Sequence, residues 1–305
     1  MASLLFEQSL NALQYGLMLF LLAAGLTLVF GIMDMINLAH GSLYMVGAYL
    51  TATLTQATGS FLLGVALALA ATGAFGVLLE ISVLRRLYKR DHLTQVLATF
   101  AIILVSNELV RIVWGPQAIM LNPPPSLSGA IELPLGIAYS SFRLLIIGVG
   151  SAVALLLYFI VASTRVGMWV RAGASNREMA AAMGIPVDKL FTLVFGFGAV
   201  LCALAGAMLG SLFAVEVGMG ESILILAFVV TVIGGIGSVR GAFVGALLVG
   251  AVDTFGRAFL PLLLGSLFPA YVASQVGPAL ASISIYVLMA AVLVWRPEGL
   301  FPARA

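Results

Sequence analysis

Apolar runs that approach or exceed the span of a bilayer recur along this chain from residue 8 to residue 295. A membrane-crossing helix needs about 20 such residues, and only helices or closed barrels satisfy their backbone groups in lipid. The runs fall at 8–31, 43–55, 61–84, 93–114, 142–162, 190–214, 222–236, 239–264 and 273–295. Charged residues make up 9% of the chain, against about 25% in soluble domains. These features predict an all-α polytopic membrane protein, a bundle of eight or nine membrane segments, some broken or re-entrant. Residues 1–305 read as a single transmembrane domain. The run at 222–236 is short, and spanning and re-entrant readings both stand for it.

Basic residues set the expected orientation. Arg85, Arg86, Lys89, Arg90, Arg165, Arg171, Arg177, Lys189, Arg240, Arg296 and Arg304 fall on one side if the segments alternate, which is eleven of the fourteen. Only Arg111, Arg143 and Arg257 fall on the other. This bias predicts a cytoplasmic loop at 165–189, an outer N-terminus and an inner C-terminus. The start, MASLLFEQSL, has no basic n-region, so the first apolar run is expected to be retained.

The loop at 165–189 is a polar island between two apolar segments. Ser175 can N-cap a helix there, with Glu178 three residues on completing a capping box. Ala180, Ala181 and Ala182 favour helix. Gly184 suits a left-handed C′ position and Pro186 blocks continuation. The expected rod, Ser175 to Met183, is roughly 13 Å long. It reads either as an ordinary solvated loop or as a helix that inserts into another protein.

Two apolar hairpins are interrupted in similar outline. The first, near residues 27–48, carries Asp34, Asn37 and His40; the second, near 231–251, carries Gly234, Gly235 and Gly237. Paired interruptions point to a translocation path or hinge. The polar three can also serve only to satisfy backbone groups freed by a broken helix. Asp253 with Arg257, and Glu108 with Arg111, have the spacing of helical ion pairs. Glu216 and Glu221 read as outer-loop residues, either meeting an external partner or hydrating the loop. Gly206 and Gly210, like Gly241 and Gly245, permit close helix packing.

No nucleotide-binding G-x-x-x-x-G-K-[ST] pattern includes either lysine, Lys89 or Lys189. Energy for pumping must then come from another chain or an ion gradient. One cysteine, Cys202, and two distant histidines, His40 and His92, argue against a disulfide or a clustered metal site. A net charge of +2 gives no footprint for nucleic acid.

Four stretches, in order along the chain, carry a resemblance: GLTLVFGIMDMINLAHGSLYMVGAY, RAGASNREMAAAMGIP, VIGGIGSVRGAFVGALLVG and WRPEGLF. With these the chain resembles the LivH-type permease subunits of branched-chain amino-acid ABC importers. Glu178, Met179, Ala180 and Gly184 are similar to the coupling motif E-A-A-x-x-x-G, with Met179 replacing its alanine. The resemblance implies a type II importer fold in a bacterial inner membrane. It implies no catalysis and no cofactor in this chain, ATP being bound by two partner subunits. The other implied partners are a second permease, LivM-like or a second copy, a periplasmic binding protein and membrane lipid. Ser175, Asn176, Arg177, Glu178, Met179, Ala180, Gly184 and Ile185 would form the ATPase-coupling loop. The solute would be a branched-chain amino acid or a related small polar molecule. An ion-coupled secondary transporter is the rival reading.

Overall fold

The computed structural model describes residues 2–35, 37–133 and 136–301; Arg304 lies outside them. Each apolar run is a helix. They are α1 (Ala2–Met33), α2 (His40–Thr58), α3 (Phe61–Leu79), α5 (His92–Trp114), α6 (Ser141–Ser163), α9 (Val187–Gly210), α10 (Met219–Gly234), α11 (Val239–Gly265) and α12 (Ala270–Trp295). A π-helical turn, Glu80–Leu84, joins α3 to α4 (Arg85–Leu87). Two short helices, α7 (Arg165–Ser175) and α8 (Arg177–Ala182), occupy the polar island. A small antiparallel hairpin, β1 (Ala130–Leu133) with β2 (Ile137–Ser140), lies in the loop before α6, with Ala130 opposite Ser140.

Among the described residues, seven helices are long and apolar enough to span a membrane; α2 and α10 are not among them. The centre of the bundle is α1, almost wholly buried from Leu17 to Ala24. It packs along α11, α9, α10 and α6, while α9 also receives α2 and α3. Large apolar side chains such as Leu62, Leu97, Ile112 and Leu155 point outward. Lipid, which is as apolar as they are, accepts that surface without cost.

Contacts between helix ends define two faces. On one, Gly173 meets Ile32, Arg85 reaches Thr192 on α9, and Leu300 and Phe301 bond to the end of α10. On the other, Asn11 holds Tyr139 and Arg143, Trp114 bonds Thr53, and Ile119 pairs with Val215. The N-terminus and the 295–301 tail therefore lie on opposite faces, and the basic cluster 85–90 shares its face with 165–189.

The short α10 connects the two faces, which excludes a re-entrant hairpin. Its 16 residues cover about 24 Å, less than the roughly 30 Å of hydrocarbon, so it begins inside the bundle. Its first turn lies against α2: a methyl added to Gly41 or Gly220 would overlap the other's carbonyl. Its last turns run beside α1, with Thr231 and Thr27 hydroxyls 3.2 Å apart. The second broken helix, α2, also begins inside. His40 at its start lies against Leu22, eleven residues before α1 ends.

Candidate functional site

The polar island folds as two helices, not one. Thr164 caps α7 by accepting from the Gly167 amide at 3.2 Å, and Arg171 donates to the Val161 carbonyl. The next cap is Asn176, not Ser175. Asn176 is extended, and its Oδ1 accepts from the Met179 amide at 2.8 Å. Ser175 is the last residue of α7, so the expected capping box with Glu178 does not form. Both residue types cap well; here α7 claims the serine. The rod is thus six residues, about 9 Å, rather than nine.

Its end is as the glycine predicted. Gly184 has φ +84°, and the Ile185 amide reaches back to the Ala180 carbonyl at 3.1 Å, closing a Schellman turn. The exposed surface differs from a bare alanine rod. Ala180 turns inward, while Met179 and Met183 are 61% and 78% exposed. Flexible methionine thioethers suit a surface that must fit a moving partner. Glu178 is exposed and Ile185 half-buried. Arg177 points into the protein, its guanidinium 4.7 Å from the Phe191 ring centre and 5.9 Å from that of Tyr88.

Those two aromatic rings pack edge to face above a polar network that the sequence concealed. Glu80 is fully buried. Its Oε2 accepts from Arg85 at 2.9 Å and from Thr192 at 2.8 Å, and its Oε1 from Tyr88 at 2.8 Å and Arg85 at 3.2 Å. Burial and the bond to Glu80 raise the Tyr88 hydroxyl above its ordinary pKa, keeping it a donor. The π turn makes this possible, since it brings residues five apart onto one face. The only sequence signal is an acid and an arginine at that unusual spacing. The network ties α8, through Arg177, to α3 and α9.

The first broken hairpin places its polar residues at different depths. Asp34 is exposed and left-handed (φ 48°), ending α1 as a C′ residue. Asn37 is buried, its Oδ1 accepting from the Ala39 amide. His40 Nε2 lies 3.3 Å from the Leu22 carbonyl and 3.0 Å from Cys202 Sγ. The carbonyl can only accept, so that contact requires hydrogen on Nε2. Asn37 Nδ2, His40 Nδ1 and Ser42 Oγ are buried without partners among the described residues. Gly234, Gly235 and Gly237 lie on the basic face. Gly235 and Gly237 are left-handed, and Gly237 packs on Gly31 while Gly235 packs on the 298–301 tail. They are a tight inner turn, separated from His40 along α1.

The expected ion pairs form: Asp253 with Arg257 at 2.8 Å and Glu108 with Arg111 at 2.9 Å. Glu221 is not a free loop residue. It sits in the first turn of α10 and accepts from Asn107 Nδ2 at 2.6 Å.

Comparison with known proteins agrees with this layout. Residues 8–293 match the family described as "Branched-chain amino acid transport system / permease component". The chain is 29% identical to the high-affinity branched-chain amino acid transport system permease protein BraD of Pseudomonas aeruginosa, over 96% of this chain and 94% of that one. It is 28% identical to the permease protein LivH of Escherichia coli K12, over 83% and 86%. It is also 28% identical to a probable LivH of Methanocaldococcus jannaschii, over 95% and 90%. With nearly its whole length matched and its helices in place, the chain belongs to the family of branched-chain amino acid transport permease components.

Proposed function

We propose that residues 1–305 form one membrane domain, a non-catalytic permease subunit of an ABC importer in a bacterial inner membrane. It carries a branched-chain amino acid or a related small polar solute inward. This chain holds no cofactor, and ATP binds two separate subunits. Those subunits dock on 165–189, with Ser175, Asn176, Glu178, Met179, Gly184 and Ile185 nearest the contact. Arg177 and Ala180 hold the loop from behind. A second permease, LivM-like or a second copy, completes the path, and a periplasmic binding protein delivers the solute. Asp34, Asn37, His40 and the Gly234–Gly237 turn act as hinge and lining at the inner half.

The observation that supports this most is α8 itself: a capped helix with exposed methionines, anchored by Arg177 to the Glu80 network on two membrane helices. Force applied at α8 reaches α3 and α9 without crossing a flexible loop. An ion-coupled transporter is not favoured. The family matched is one of transport-system permease components, and three membrane carboxylates, Glu80, Glu108 and Asp253, are each held by an arginine, which suits them poorly to carry a proton or cation.

Purification in mild detergent tests the reading: an ATP-binding subunit co-purifies, and uptake stops on ATP depletion but survives an ionophore. The variant Gly184→Leu has room for its side chain but strained backbone. It inserts normally, while solute uptake falls about tenfold or more, the effect of a strain of about 1.4 kcal/mol. Unchanged uptake in that variant, or uptake by the isolated chain without nucleotide, refutes the coupling role.

A further inference from the structure

Two helices begin inside the bundle and begin at the same place. The first turns of α2 and α10 touch at Gly41 and Gly220, where each glycine is too close to the other's carbonyl to carry a side chain. Neither N-cap residue, Ala39 or Gly218, caps its helix with its own side chain; the Ala39 amide donates to Asn37 Oδ1 and the Gly218 amide to Met45 Sδ. Each helix start carries about half a positive charge. Bringing two together in an apolar setting is unfavourable unless negative charge joins them.

A crevice lies at this junction between α2, α10 and α5. It is too tight to admit a water molecule. Ser42 lines it, is 4% exposed, and its hydroxyl has no partner among the described residues. At the rim, Glu221 accepts from Asn107. Asn107 is seven residues below the end of α5 at Trp114, about 10 Å down the helix. This carboxylate is therefore at membrane depth, is exposed at the surface of the bundle and, unlike Glu80, Glu108 and Asp253, has no arginine partner among the described residues. Met45, Ile103 and Leu224 supply apolar walls.

We infer that this junction is the solute-recognising constriction of the permease, drawn here in its closed form, and that it takes an amino-acid zwitterion. The inference rests on the permease reading above. The solute carboxylate receives the Ser42 hydroxyl and the positive starts of α2 and α10. Its ammonium displaces Asn107 from Glu221. Its aliphatic side chain takes the apolar wall. A closed crevice with one unused donor, one unmatched charge and an apolar side matches all three parts of such a molecule. No bond is made or broken; α10 parts from α5 as the Asn107–Glu221 contact opens.

The test uses the complete importer, with its partner subunits, in proteoliposomes and radiolabelled L-leucine as probe. Glu221→Gln and Ser42→Ala each lower leucine uptake about tenfold, the worth of one charge-assisted or buried hydrogen bond. Glu221→Asp recovers most of the loss, which a merely structural glutamate would not require. Co-purification of the ATPase subunits stays at the wild-type level. In a second arm, Asn107→Cys with Glu221→Cys is bridged by a short reversible bis-thiosulfonate linker; native Cys202 is buried and does not compete. Uptake stops and returns on reduction. Wild-type leucine uptake by the bridged protein, or by both Ser42→Ala and Glu221→Gln, overturns the inference while leaving the permease reading intact. Absence of ATP-driven uptake by the wild-type assembly overturns the permease reading and this site with it.

Discussion

The two polar regions of this apolar molecule are built on opposite terms. At the basic face, the Glu80 carboxylate is saturated: Arg85, Tyr88 and Thr192 supply four hydrogen bonds to its two oxygens. At the α2–α10 junction, among the described residues, the Ser42 hydroxyl has no partner and Glu221 has only a neutral amide. A buried polar group without partners costs free energy, whereas a fully bonded one fixes its surroundings. The contrast separates a region whose polar groups are fully used from one that keeps hydrogen-bonding capacity in reserve.

Substitutions can break that contrast. The largest effect belongs to Glu80→Ala. It takes the acceptor from the Tyr88 hydroxyl and the carboxylate from Arg85, which keeps only Thr192, at a cost of about 3 kcal/mol, which appears as a fall in the melting temperature of the detergent-solubilised protein. Thr192→Ala removes one of four bonds and costs about 1–2 kcal/mol by the same measurement. Asn176→Ala removes the α8 cap, about 1 kcal/mol of helix stability, and lowers ATP-coupled uptake without changing the melting temperature. Ser175→Ala leaves the melting temperature alone, since the α8 cap is Asn176. Ser42→Ala leaves the melting temperature unchanged or slightly higher, because it deletes an unpaired buried hydroxyl. A drop as large as that of Glu80→Ala would erase the distinction between the regions.

Acid provides the mildest probe. The Asp91 carboxyl is held below its usual pKa by the Thr94 hydroxyl and amide. A group depressed in the folded state stabilises above its unfolded pKa and loses that contribution as pH falls. The α5 cap therefore weakens only below the ordinary carboxylate range. Hydrogen exchange at the Thr94 amide reports it, and Asp91→Asn removes the dependence.

Much of this was legible in the sequence, and the reasons are physical. Nine apolar runs became nine helices because lipid leaves the backbone no alternative. Gly184 announced its turn because few other residues accept φ near +84°. The Asp253–Arg257 and Glu108–Arg111 pairs followed from ordinary helical spacing. The cap did not: Ser175 and Asn176 are near-equal in capping strength, and tertiary packing of α7 decided between them. Glu80 gives no helical signal because its arginine stands five residues on, out of register for an α-helix. Glu221 reads as a loop residue because nothing local reveals that α10 starts below the membrane surface. Its partner, Asn107, is 114 residues away.

The π turn at Glu80–Leu84 has a last geometric consequence. It is an α-helix holding one supernumerary residue, and each residue of a helix is worth about 100° of rotation. Wound as a regular α-helix over the same residues, the turn would carry everything from Arg85 to Arg90 around the axis by that angle. The guanidinium would then point away from Glu80. The aim of the whole basic cluster on this face is thus set by one residue of surplus length.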